Sequence, residues 1–143
     1  MAHELHIDPE REVAAIRYTG FVTGREIVEA IGEMLRHPDW QPGFRRFSST
    51  AEVTTMDVTP ADLEAMQRQD VERSAEIGAG RKAVVVAPKY EVVSVMYKHT
   101  FDRKFELYDL SIFTDEAAAW DWLLAAEPPK GSPGQIGIEE DEA

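Results

Sequence analysis

Ile112-Phe113-Thr114-Asp115-Glu116-Ala117-Ala118-Ala119-Trp120-Asp121-Trp122-Leu123 is the stretch whose reading decides the fold. Ile-Phe closes an apolar segment that reads as a strand. Thr114 or Asp115 can then cap a helix, because a side-chain oxygen there accepts hydrogen bonds from the free N–H groups of the first turn. Ala119, Trp120, Leu123 and Leu124 follow on one face at helical spacing. A strand that feeds straight into such a helix is the closing unit of a layered α/β domain. The spacing predicts Trp120 in the core. Trp122, two positions on, is turned about 200° away on the helical wheel and is expected to be half exposed.

Upstream of this unit the signals alternate in the same way. Glu4 to Ile7 and Glu12 to Thr19 read as strands joined by Asp8-Pro9-Glu10-Arg11, whose Asp-Pro opening suits a type I turn. They predict an antiparallel hairpin. Thr23-Gly24-Arg25-Glu26 has capping-box spacing, and Ile27, Val28, Ile31, Met34 and Leu35 form one helical stripe that ends before Pro38. Phe44 to Ser49 reads as a short third strand, with Phe44 and Arg46 on one side and Arg45 and Phe47 on the other. A loop is expected over residues 50 to 58. Thr59-Pro60-Ala61-Asp62 then opens a second helix, which stops at Gly78-Ala79-Gly80.

Lys82-Ala83-Val84-Val85-Val86-Ala87-Pro88 is a continuous apolar run, the mark of a strand buried on both faces, and is expected at the centre of the sheet. Residues 90 to 104 have strand propensity at Val92, Val93 and Val95 but helical spacing at Val93, Met96, Tyr97, Phe101 and Phe105. A parallel neighbour needs a crossover of this length, so a helix is expected there. Glu106 to Phe113 is the last strand. The predicted order is β-β-α-β-α-β-α-β-α: an α/β domain with a mixed four- to five-stranded sheet and helices mainly on one face. It occupies residues 1–126. Residues 127–143, rich in Pro, Gly and acids, read as a disordered tail.

The 143 residues carry a net charge of -12, of which the tail, with five acids and one lysine, contributes -4. So acidic a surface repels phosphate backbones and anionic membranes, which argues against nucleic-acid binding. It could instead meet a basic partner. The absence of cysteine excludes disulfides, thiolate catalysis and thiolate metal sites. The start, Met1 to His6, shows no secretory signal and no apolar run is long enough to span a membrane, so a cytoplasmic protein is expected.

Few residues announce a chemistry. His3, His6, His37 and His99 lack metal-ligand spacing, and no nucleophile motif or phosphate loop is present, so no metal, cofactor or catalytic residue is assigned. Arg45 and Arg46 could bind an anion, or pair with nearby carboxylates. Met96, Tyr97 and Phe101 could line an apolar pocket for a small or lipid-like ligand, or be ordinary core. Trp40 in its Pro-flanked loop could anchor an interface, or pack over a helix end. An edge strand or exposed tryptophan could also support a homodimer.

Three local patterns resemble a known family: Gly20-Phe21-Val22-Thr23 entering a helix that ends near Asp39-Trp40-Gln41-Pro42-Gly43; Arg81-Lys82-Ala83-Val84-Val85-Val86 after a polar helix; and the closing Ile112 to Ala117 with Trp122-Leu123. In order and spacing they resemble STAS-like domains of the SpoIIAA-like kind, relatives of anti-sigma-factor antagonists, over residues 4 to 124. The resemblance implies a non-enzymatic module that acts by protein–protein contact. It also implies a switch by phosphorylation in the loop after the third strand, here Ser48-Ser49-Thr50. Local bonding to turn backbone is the simpler use of these hydroxyls. The branch usually has an aspartate where Ser49 stands, so a role for that aspartate does not carry over. It is also akin in structure to CRAL-TRIO lipid-binding domains.

Overall fold

The computed structural model describes residues 3–90 and 109–126. The helix expected over residues 90 to 104, the pocket residues Met96, Tyr97 and Phe101, and the tail lie outside the described residues. The chain begins with β1 (His3–Asp8) and β2 (Val13–Thr23), paired antiparallel. Their turn is held as the Asp-Pro sequence predicts: Asp8 Oδ1 accepts from the N–H groups of Glu10 and Arg11. Then follow α1 (Gly24–Arg36), β3 (Arg45–Asp57), α2 (Pro60–Glu72), the single turn α3 (Ser74–Ile77), β4 (Lys82–Val85), β5 (Leu110–Phe113) and α4 (Glu116–Leu124). The five strands form one mixed sheet in the order β1-β2-β3-β4-β5, with every pair after the first parallel.

Each of the three longer helices starts where the sequence places a cap. Thr23 accepts from Glu26 N–H, and Asp115 from Ala118 N–H. Thr59 and Asp62 exchange both hydrogen bonds of a capping box behind Pro60. The pleat then sorts side chains between two faces. Ala14, Ile16 and Tyr18 pack under α1 with Ile31 and Met34, and Val84, Val86 and Ile112 pack under α2 with Leu63 and Met66. Val13, Phe47, Ala83, Val85 and Phe113 face the other way, against Ala119, Trp122 and Leu123 of α4.

Three expectations are corrected. The third strand does not end at Ser49 but runs through Asp57, because residues 52–57 pair with Thr19–Thr23 of a β2 that likewise runs past its expected end at Thr19. The apolar run at β4 is not the middle of the sheet: β3 is, and β4 lies between β3 and β5. The run reports coverage on both faces, by α2 and by α4, and not a place in the order. Trp122 is the buried tryptophan of α4, 7% exposed and tilted against Phe113 with ring centroids 5.9 Å apart, whereas Trp120 is half-buried. The helix turns Ala119, Trp122 and Leu123 to the sheet, and this face satisfies the i, i+3, i+4 rule as well as the one expected. Trp40 is buried, and its indole N–H donates to the Glu76 carbonyl at 2.8 Å, so it packs over a helix end.

Candidate functional site

β4 and β5 stop at Val85 and Phe113, level with Ser49, while β2 and β3 continue as a two-stranded ribbon. The ribbon delivers both long helices to one corner. Thr23 lies in register with Asp57, so α1 starts beside the segment that caps α2. Phe21, paired with Thr55 on this ribbon, is 56% exposed. Glu52, Asp57, Thr59 and Glu64 are exposed at the same end of the sheet. The corner therefore presents an exposed apolar ring among side chains of both signs, with Arg25 exposed at the start of α1 and Lys89 Nζ donating to the Thr54 carbonyl at 3.5 Å.

Ser48, Ser49 and Thr50 do not form a loop. They lie within β3, where Ser49 and Thr50 are buried and Ser48 is half-buried. Ser49 Oγ accepts from Ala51 N–H and Thr50 Oγ1 donates to the Val85 carbonyl at 3.3 Å. These hydroxyls serve the backbone, as small polar residues commonly do. The segment that follows the third strand is Val58-Thr59-Pro60, and its hydroxyl is that of Thr59. Thr-Pro-Ala-Asp at a helix start marks a cap in the sequence; only the full length of β3 shows that it also holds the post-strand position.

Arg45 and Arg46 part company. Arg45 is half-buried, whereas Arg46 is 3% exposed and points under α1 and α2. There it meets the lysine of the apolar run: Lys82, 5% exposed and in register with Arg46 on the neighbouring strand. Burial, with the Arg46 charge beside it, pushes the Lys82 ammonium down to about 7, while the buried Asp70 on α2 acts in the opposite sense. Both cations border a cavity of about 60 Å³, otherwise lined mainly by apolar side chains such as Met34, Met56, Met66 and Val84. The missed signal was parity: a strand covered on both faces must bury its lysine too.

The opposite face of β1 and β2 carries a groove of about 360 Å³, bordered by Glu4, His6, Asp8, Arg11, Arg17 and Trp120. Its edge is internally paired. Arg17 forks onto Glu116 at 3.1 and 2.6 Å and, through those hydrogen bonds, holds that carboxylate below its usual range. Trp120 stacks on Phe47 with ring centroids 4.3 Å apart.

The mixed five-stranded sheet and its helices define an α/β domain with a SpoIIAA-like fold. The chain is similar to the crystal structure of an uncharacterized DUF3478-family protein with a SpoIIAA-like fold from Shewanella loihica PV-4. Identity is 13% and the TM-score 0.54, over 85% of this chain and 94% of that one, so the likeness is one of fold alone. No protein-family model matches the sequence, and no curated protein does. Among the described residues, no helix is long and apolar enough to cross a membrane.

Proposed function

We propose that this chain is a non-catalytic regulatory module of the STAS type that docks a protein partner at the corner where the β2–β3 ribbon meets α1 and α2. The observation that carries this reading is Phe21, a large apolar ring held out on a projecting ribbon with 56% of its surface exposed. Aromatic side chains held this way make good interface anchors. Glu52 and Asp57, exposed on the same ribbon, favour a partner with a basic rim around an apolar recess. The segment Val58-Thr59-Pro60 borders this corner, so a phosphate on Thr59 would add negative charge beside Asp57 and Asp62 and weaken docking to a basic rim.

The test is site-specific photocrosslinking in cells, with the photoreactive group at position 21 and, as a control, at Glu10 in the β1–β2 turn. A partner with a basic face that is captured from position 21 alone, and lost with Asp57→Lys, supports the reading. Equal capture from both positions, or capture only of a second copy of this chain, overturns it. A lipid-like cargo is the alternative raised by Met96, Tyr97 and Phe101, which lie outside the described residues.

A further inference from the structure

We propose that β1 pairs with β1 of a second copy of this chain about a two-fold axis at Leu5, joining two sheets into one. The inference concerns the far edge of the hairpin, not the β2–β3 ribbon, and stands or falls independently of the docking reading. Among the described residues β1 has one strand neighbour, β2, and pairs with it from His3 to Asp8 without a bulge. Its other edge is therefore regular, with a row of backbone N–H and C=O groups that β2 does not use. Sheet margins are commonly blunted by Lys, Pro or a bulge, and His3-Glu4-Leu5-His6-Ile7-Asp8 has none of these. Its charged side chains stand on one face, where Glu4, His6 and Asp8 border the groove. Leu5, on the α1 face, packs on the core but is only half-buried.

Symmetry and charge make a second copy the fitting occupant. A two-fold axis that sets β1 antiparallel to its copy stands perpendicular to the sheet, so α1 lies on the same side in both copies. Side chains directly opposite one another then share a face, which restricts the symmetric registers. Two registers engage residues 3–7 or residues 4–8 of the strand, and every other engages fewer. The second, centred on His6, sets Glu4 of each copy opposite Asp8 of the other, and like charges placed so are destabilising. The first, centred on Leu5, sets Glu4 of each copy opposite His6 of the other, a carboxylate acceptor facing an imidazole donor, twice over. Glu4 and His6 are both exposed and free to turn toward this edge. On the α1 face the same register puts Leu5 against Leu5 at the axis, which covers its exposed flank and links the two cores.

Sedimentation equilibrium of the full chain tests this, at about 0.15 M salt to screen the repulsion between two chains of charge -12. A monomer–dimer equilibrium is expected. His6→Glu, at an exposed position, should weaken the dimer about tenfold or more by facing Glu4 of the other copy with a like charge. Glu4→Lys combined with His6→Glu restores opposite signs and should bring the affinity back to within about threefold, which a merely structural effect of either change would not do. The register is read separately by disulfide trapping, since the chain has no cysteine of its own. A mixture of Glu4→Cys and His6→Cys chains in a thiol–disulfide buffer should form the mixed dimer, and neither variant alone should cross-link. A chain that stays monomeric to about 0.5 mM, leaving β1 for a strand from another protein, would overturn the proposal. So would a dimer indifferent to His6→Glu, no rescue by the double change, or cross-linking of His6→Cys to itself.

Discussion

Gly24, the first residue of α1, lies directly against the side chain of Asp62 in the first turn of α2: a Cβ on this glycine would overlap the Asp62 carboxyl group. The contact exists because Thr23 and Asp57 are in register at the end of the ribbon, so the two helices start side by side. Asp62 meanwhile completes the capping box with Thr59, accepting from its N–H at 2.9 Å. Gly24→Ala should therefore evict Asp62 from the cap as well as crowd the helix start. We expect a loss of about 1–3 kcal/mol, read from urea unfolding midpoints. Thr59→Ala should lose about 1 kcal/mol. An unchanged midpoint for Gly24→Ala would show that the helix starts are free to separate.

The Lys82 ammonium, pushed down to about 7 by burial, makes stability rise with pH, in the same sense as a depressed carboxylate but in a higher pH window. The unfolded chain keeps this lysine protonated up to about pH 10.4. Between about pH 7 and 10 the unfolded state thus binds more protons than the folded one, and the unfolding free energy rises with pH. Below pH 7 the folded chain carries the buried ammonium, whose cost the Asp70 carboxylate offsets only in part. Lys82→Met should stabilise the fold most at pH 6 and flatten its pH dependence. Equilibrium unfolding of both forms at pH 6, 7.5 and 9 checks this; parallel curves would show that Lys82 titrates as in water.

The two tryptophans of α4 should respond unequally to truncation. Trp122 is buried against Phe113 under the Arg81 guanidinium, 6.0 Å from its ring, so Trp122→Ala should cost about 3–5 kcal/mol. Trp120 is half-buried and stacks on Phe47 at the open edge of the groove. Trp120→Ala should cost clearly less, about 1–2 kcal/mol, since its stacking contributes on that order and less of its area is out of water. Thermal unfolding of the two variants decides the order, and a larger loss for Trp120→Ala would reverse the assignment of the sheet-facing side.

Local chemistry was legible from residue types alone. Asp8 with Pro9, Thr23, Thr59 and Asp115 each needed only their immediate neighbours to be assigned a turn or a cap. What escaped depends on register or on a rotation about an axis. Among the described residues the outer half of β3 has one strand neighbour, and its side chains are mostly polar, so it lacks the apolar signature of an inner strand. Choosing between Trp120 and Trp122 is a question of how α4 is rotated over the sheet, which periodicity leaves open. Arg46 and Lys82 become neighbours only once β3 and β4 are aligned. The candidate site is thus a product of pairing between distant segments, which no single stretch of sequence displays.

Arg81 closes the domain by capping its last helix. Its Nη1 donates to the carbonyls of Trp122 at 3.0 Å, Leu123 at 3.2 Å and Ala125 at 2.6 Å, and its Nη2 to that of Ala126 at 3.2 Å. Trp122 and Leu123 belong to the last turn of α4, whose carbonyls have no intrahelical donors, Ala125 and Ala126 lie just beyond it, and the guanidinium charge sits at the negative end of the helix dipole. No other residue type offers several fixed donors to such a cluster. Arg81→Met should therefore cost about 1.5–3 kcal/mol, and amide exchange should quicken in the last turn of α4 before it does in the sheet. Arg81→Lys should recover the dipole interaction but only part of the hydrogen bonding, and fall between the two. If Arg81→Met left exchange in α4 unchanged, packing of Trp122 and Leu123 on the sheet would have to hold that terminus unaided.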